Sequence, residues 1–461
     1  MIGKEPKVVY RMKTGMMKAT GLVFGALLAW SVQSVATEKP VTKEHKLANG
    51  LKILVREDHR APVIVSQIWY KVGSSDEHRG ITGISHALEH MMFQGTPTLP
   101  GDGFAQKISE YGGQNNAFTG DDYTAYYEEL DASHLDISFK LEADRMTNLT
   151  ISPEAFGKEI KVVMEERRMR TDDNPQNLTY ERFMAVANVM GPYHHPVIGW
   201  QDDLDHMDAQ ALKNWYQKWY NPSNATIVVV GDVNAEKVFA MAEEHFGKIP
   251  GKETPKMKTV NEISSLGEKR IKVHLPAKLP YAIWGFEAPS IRSAKDEREV
   301  YALLVASAIL DGGESSRFSR SLVRGEQVAA ALSANYDIFK QYRSQFIITG
   351  IPTQGHTVAE LETKMLAQLE KLKKEIVAPD ELQKVKTQML AQEIFEKDSM
   401  AQQATFLGML ETVGLPWQLA DEFTDKVKAV TAEQVQAAAK KYFDVKHITV
   451  AELIPDNVTV N

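Results

Sequence analysis

One pattern of apolar and polar positions occurs twice along this chain. From Asp208 it runs Asp208-Ala209-Gln210-Ala211-Leu212 into the aromatic pair Trp219-Tyr220, then Asn221-Pro222, then Ala225-Thr226-Ile227-Val228-Val229-Val230. From Thr431 it runs Thr431-Ala432-Glu433-Gln434-Val435 into Tyr442-Phe443, then Asp444, then Ile448-Thr449-Val450-Ala451. Each copy predicts a capped amphipathic helix, a turn and a β-branched strand. The copies lie about 223 residues apart, and the same spacing sets Ile68-Trp69-Tyr70 against Trp284-Gly285-Phe286. A period this long marks a duplicated domain, not a short solenoid repeat.

Other segments read as helices. One runs from Ser152 to Arg170, with Ser152 as its cap and Pro153 at its first position, and Asp172-Asp173-Asn174-Pro175 ends it. Another, from Thr357 to Ile376, opens with the capping box Thr357-x-x-Glu360. A short one follows Gly80-Ile81-Thr82-Gly83, with Thr82 as its expected cap, Met91-Met92-Phe93 on its apolar face and Gly95 as its stop. A few strands among long helices in each half predict an α+β fold: two homologous domains, each a mainly antiparallel sheet with helices packed on it. Pro250-Gly251-Lys252-Glu253-Thr254-Pro255 opens a linker. The expected organisation is a targeting segment over 1–36, a first domain over 37–250, a linker over 251–268 and a second domain over 269–461.

Composition supports this. The 461 residues fit two domains, and 43% hydrophobic with 25% charged content is that of a folded soluble protein. A net charge of −8 gives no support for nucleic-acid binding. Arg11, Lys13 and Lys18 precede an apolar core, Ala19 to Trp30, too short to span a bilayer comfortably. Ser34-Val35-Ala36 predicts signal-peptide cleavage before Thr37, hence a periplasmic protein without stable membrane insertion. An uncleaved anchor is the alternative, and Met16 or Met17 is an alternative start. There is no cysteine, so a metal must be held by His, Asp and Glu.

The chemistry concentrates at His86-x-x-Glu89-His90. On a helix, His86 and His90 stand one turn apart and Glu89 shares their arc. Two imidazoles and a carboxylate on one face suit a divalent metal with a general base beside it. The third ligand is sought on the Ser152 helix. Glu159 and Glu166, seven residues apart, share a side with Val162 and Val163, while Glu165 lies about 100° away and reads as solvent-facing. The plain alternative for these glutamates is an exposed face of ion pairs.

His86-Ala87-Leu88-Glu89-His90-Met91-Met92-Phe93-Gln94-Gly95-Thr96, followed by Glu159-Ile160-Lys161-Val162-Val163-Met164-Glu165-Glu166, resembles the pitrilysin family of zinc peptidases, which includes insulin-degrading enzyme and the mitochondrial processing peptidase. The resemblance spans nearly all of the expected mature chain. It implies one Zn²⁺ per chain on His86, His90 and Glu166, with Glu89 as the base that activates water and Glu159 as a second carboxylate behind the ligands. Gly112 to Thr119 matches the family's edge strand, which pairs with an extended peptide. Asn116 and Ala117 fall on its substrate-contacting positions, although Asn115-Asn116 alone reads as a polar turn. In the second half Arg324 matches a substrate-holding Arg, but Ala331 stands where the family has a Tyr. Family members of this length form half of a clam-like chamber. The missing Tyr points to a partner: a second copy, or a zinc-less sister subunit that has the Arg and Tyr. His194 and His195 read as structural. The leading expectation is a zinc endopeptidase acting on unfolded peptides. A non-hydrolytic peptide-binding or assembly subunit is the alternative, and a zinc hydrolase of other amides a more distant one.

Overall fold

A computed structural model describes residues 41–253, 262–263 and 265–456. The expected targeting segment and much of the expected linker lie outside these residues. Two sheets organise the chain. The first contains β1 (Thr42–Lys46), β2 (Lys52–Glu57), β3 (Val63–Tyr70), β4 (Gln114–Thr119), β5 (Thr124–Asp131) and β6 (Ala225–Gly231), in the order β1-β2-β6-β3-β5-β4. The second contains β7 (Lys269–Pro276), β8 (Tyr281–Ala288), β9 (Ala329–Tyr336), β10 (Ser344–Pro352) and β11 (Thr449–Asp456), in the order β7-β11-β8-β10-β9. Leaving β1 aside, the orders are identical strand for strand. One pair in each sheet is parallel, β2 with β6 and β7 with β11, and the other pairs are antiparallel.

This is the α+β duplication the apolar pattern predicts. The expected partners occupy equivalent places: Ile68 pairs with Ile227, and Trp284 with Val450. The spacing is not constant, however. Trp284 stands 216 positions after Ile68, whereas Thr449 stands 223 after Thr226, so the second half is seven residues longer between these strands.

Each half lends the other a helix. On β6 successive side chains point to opposite faces. Ile227 and Val229 enter the core of their own half, while Val228 and Val230 meet Leu407, Leu410 and Val413 at helix Met400–Thr412 of the second half. In return, helix Pro175–Ala187 of the first half sets Phe183 and Ala187 against Ile283 and Ala451 of the second sheet. Large residues meet small ones in both places. A Cβ at Gly408 would stand 2.1 Å from Trp69 Nε1, and one at Gly285 would stand 2.4 Å from the Phe183 ring. Trp69 and Gly285 are equivalent in the duplication, so the exchange is the same knob and hole with the partners reversed. The central strands of both sheets are thereby buried on both faces, and β6 is buried along its whole length.

Candidate metal centre

Helix Ile84–Met91 packs Ile84, Ala87, Leu88 and Met91 into the core of the first half, which turns His86, Glu89 and His90 to its other side. Its start differs from the expectation. Gly83, not Thr82, occupies the capping position, at φ 86°, where a Cβ would meet the Ile198 carbonyl at 2.5 Å. The capping oxygens come from Glu77, which accepts the Gly83 N–H at 2.7 Å and the Ser85 N–H at 2.8 Å. A carboxylate here satisfies two orphan donors and faces the positive end of the helix. Thr82 instead donates its hydroxyl to Asp203 at 2.5 Å. His195 is buried, with Nε2 2.6 Å from the Ser74 carbonyl and 3.6 Å from Glu77, a structural role as expected.

Helix Pro153–Arg167 supplies the facing side, capped by Ser152 with Pro153 in its first turn. Phe156, Ile160 and Val163 anchor it, and Glu166 shares their buried side. Val162 is a correction: it is 44% exposed and faces solvent, since one helical step from Val163 is a rotation of about 100°. Glu165 is exposed and pairs with Arg168 at 2.6 Å.

His86, His90 and Glu166 each present a ligand atom, all within 4.8 Å of one another. Glu166 Oε2 lies 3.2 Å from His90 Nε2 and 3.9 Å from His86 Nε2. Glu159 touches the far side of the His90 ring, Nδ1 to Oε1 at 2.8 Å, and takes the Gln94 amide on its other oxygen at 2.9 Å. A carboxylate behind a ligating imidazole fixes the ring and leaves Nε2 free for a metal. Glu159 therefore contacts His90 and Gln94 and lies outside the ligand trio. Arg170 holds the other oxygen of Glu166, Oε1, at 2.6 Å. Glu89 stands outside the trio, with Oε2 accepting the Thr119 hydroxyl at 2.5 Å.

The charges suit metal binding. Burial, with the charge of His90 beside it, holds the His86 imidazole down to about 3, so it is neutral. Burial opposes a charge on His90 too, but Glu159 and Glu166 outweigh it and lift that ring to about 9. Burial likewise works against the Glu166 carboxylate, yet His90, His86 and Arg170 keep it below the usual range. Two nitrogens and one carboxylate oxygen, with no cysteine in the chain, match the ligand set of catalytic zinc.

The His90 shift carries a pH prediction. Below pH 9 a metal must expel the His90 proton to reach Nε2. Zinc affinity is therefore expected to rise about tenfold per pH unit up to that point and flatten above it. Without metal the raised pKa stabilises the fold fully below the unfolded value near 6.5, and that contribution is lost as pH rises through 9. Glu159→Gln is expected to weaken zinc by about tenfold to a hundredfold and to shift this window to lower pH. Competition titrations against a chelating dye at several pH values check both. A break point at the same pH in the two proteins would contradict the assignment.

The remaining expected residues are placed as follows. β4 is an edge strand, and it carries Asn116 and Ala117. Ala117 is buried in the core of the first half, and its N–H is held by Asn116 Oδ1 at 2.9 Å. Arg324 is exposed and pairs with Glu314, and none of its recorded partners belongs to the cluster. Ala331 lies on β9, the edge strand of the second sheet. Helix Glu297–Asp311, the second-half counterpart of the His86 helix, is mostly buried and carries no histidine. Four residues escaped sequence reading: Glu77, Gln94, Thr119 and Arg170. Only Gln94 and Arg170 left a signal, each standing four positions after a residue of the cluster.

Residues 52–200 match the family model for Insulinase (Peptidase family M16), and residues 206–389 match that for the Peptidase M16 inactive domain. The zinc protease PqqE of Helicobacter pylori is 34% identical over 362 residues, covering 77% of this chain and 79% of that protein. The crystal structure of a protease from Helicobacter pylori superposes with a TM-score of 0.85 at 30% identity, over 90% of this chain and 100% of that one. The periplasmic protease PqqL of Escherichia coli superposes with a TM-score of 0.77 at 17% identity, a likeness of fold, over 90% of this chain and 48% of that one.

Proposed function

The chain belongs to the insulinase (M16) peptidase family, and from that premise we propose that it is a zinc endopeptidase that cleaves unfolded peptides. The observation that carries this reading is the convergence of His86 Nε2, His90 Nε2 and Glu166 Oε2, with Glu89 beside them but outside the trio. Zinc held there would supply Lewis acidity, polarising a peptide carbonyl and bringing the pKa of water towards 7. The protein's own residues do the rest. Glu89 takes the proton of the attacking water and passes it to the leaving amine. Thr119 fixes the Glu89 carboxylate, and Glu159 with Gln94 fixes His90. β4, as an edge strand, has unpaired main-chain groups for an extended peptide. Since β4 ends at Thr119, a peptide added along it arrives beside Glu89.

In this reading the chain is half of a closed chamber, completed by a second copy or by a zinc-less sister. Its match to about half of PqqL supports that arrangement. The basic, apolar and small-residue pattern of residues 1–36 supports a periplasmic address.

The test is an unfolded, quenched-fluorescence peptide incubated with the purified full chain, alone and with a zinc-less sister subunit. Cleavage is expected to stop with a chelator and return with zinc. The sister is expected to raise the rate by about a hundredfold, the worth of an oxyanion-stabilising donor, since Ala331 supplies none. A zinc-loaded chain that binds the peptide but cleaves it under neither condition would establish the non-hydrolytic subunit instead.

A further inference from the structure

The cluster of His86, His90 and Glu166 belongs to the first half, yet the second half grips the hairpin that carries Thr119. Residues 120–123 join β4 to β5. Lys340, in the loop between β9 and β10, reaches across and pairs its ammonium with Asp121. The two following backbone groups do the same. Gln341 donates its N–H to Asp122 Oδ2 at 3.0 Å, and Tyr342 donates its N–H to the Tyr193 hydroxyl at 3.1 Å. That hydroxyl in turn donates to Asp122 Oδ2 at 2.7 Å, and the Lys340 ammonium lies 5.1 Å from the centre of the Tyr193 ring. Three consecutive residues of the second half thus bear on one turn of the first.

Two routes lead from this turn to the His86 helix. One runs back along β4, because Asp121 is two residues from Thr119 and Thr119 holds Glu89. The other runs through residues 73–77. Ser74 donates its hydroxyl to Asp121 Oδ1 at 3.2 Å, and Ser75 donates its hydroxyl to Asp122 Oδ1 at 2.9 Å. The Ser74 and Ser75 N–H groups go to the Gly120 and Asp121 carbonyls at 3.2 and 2.7 Å. A Cβ on Gly73 would stand 2.5 Å from both carbonyls, so the two backbones are in contact. Glu77, two residues further on, holds the start of the helix.

The two halves do not need Lys340 to stay together, since the exchanged helices already join them through buried apolar contacts. The pair is partly buried, its side chains 25% and 22% exposed, so it ties the hairpin more firmly than a surface pair would. What it does is fix the place of the hairpin. We propose that Lys340 is a positioning residue, with which the second half fastens the β4–β5 hairpin and so keeps Thr119 and Glu89 in the orientation peptide hydrolysis requires. This rests on the zinc-peptidase reading above.

The test uses the full chain. Lys340→Met keeps the stem and removes the ammonium, while Asp121→Asn removes the opposite charge. Each variant is expected to hold zinc at wild-type stoichiometry and to lose between about tenfold and a hundredfold in kcat, the effect of a small misplacement at the reacting groups. Amide hydrogen exchange across 114–124 is expected to quicken in both. The double variant is expected to be no slower than the worse single one, because both remove one interaction. A kcat within about twofold of wild type, lost zinc, or a lowered kcat with unchanged exchange in the hairpin would overturn the proposal. So would a lower melting midpoint with kcat unchanged per folded, zinc-loaded molecule, which marks a plain brace. A wild type inactive both alone and with the sister subunit would refute the zinc-peptidase reading, while hydrogen exchange would still report whether Lys340 fastens the hairpin.

Discussion

Glu89→Gln is expected to keep one zinc per chain and the wild-type fold while turnover of an unfolded peptide falls by about three orders of magnitude. Glu89 contributes no atom to the ligand trio, so metal content is untouched. Glutamine has the same length, and its amide oxygen can still accept the Thr119 hydroxyl that Glu89 Oε2 accepts at 2.5 Å. What disappears is the carboxylate's charge and with it the capacity to take a proton from water and return it to the leaving amine. The loss should therefore fall on kcat, with peptide affinity preserved, because the interaction removed exists only as the proton moves. Metal analysis and peptide kinetics on the same preparation check this. A metal-replete Glu89→Gln that still cleaves at a substantial fraction of the wild-type rate would sink the proposed mechanism.

Glu166→Gln should act on the other component and strip the metal. Glu166 gives the trio its one negative ligand. Its carboxylate is kept ionised by His90, His86 and Arg170 against the pull of burial. A neutral amide offers a weaker oxygen and removes the charge that faces the Arg170 guanidinium, 2.6 Å from Oε1. Zinc affinity is expected to fall by more than about a hundredfold, beyond what an outer partner such as Glu159 contributes, and cleavage should fall with it. Glu165→Gln is the control one residue away. Glu165 is exposed and pairs with Arg168, so the change should leave zinc and activity alone. Equilibrium dialysis against zinc distinguishes the two. Should Glu165→Gln lose the metal while Glu166→Gln keeps it, the third ligand has been misassigned.

Much of the site is legible in the sequence. His86, Glu89 and His90 share a helical arc because 3.6 residues per turn is a property of the backbone itself. Ser152 and Pro153 mark the start of the second helix for equally local reasons. The same holds for the duplication, since a buried strand such as Ala225–Gly231 must be β-branched and apolar wherever it occurs. Where local reasoning failed, a distant residue had taken over. Thr82 has the chemistry of a cap, yet Asp203, 121 positions away, engages it, and Glu77 does the capping. Val162 looks like a core residue until the packing of Val163 decides which way the helix turns.

The sequence alone therefore determined the fold class, the twofold plan and the ligand-bearing faces, because each follows from periodicity and capping within a single element. Tertiary structure alone decided the rest. Thr119 meets Glu89 across 30 positions, Glu159 meets His90 across 69, and Lys340 meets Asp121 across 219. The helices Pro175–Ala187 and Met400–Thr412 cross to each other's sheets, although neither differs in pattern from a helix that stays at home. Periodicity tells which side of an element is buried. Which neighbour buries it depends on how the whole chain is threaded, and on whether a Trp69 finds a Gly408 opposite.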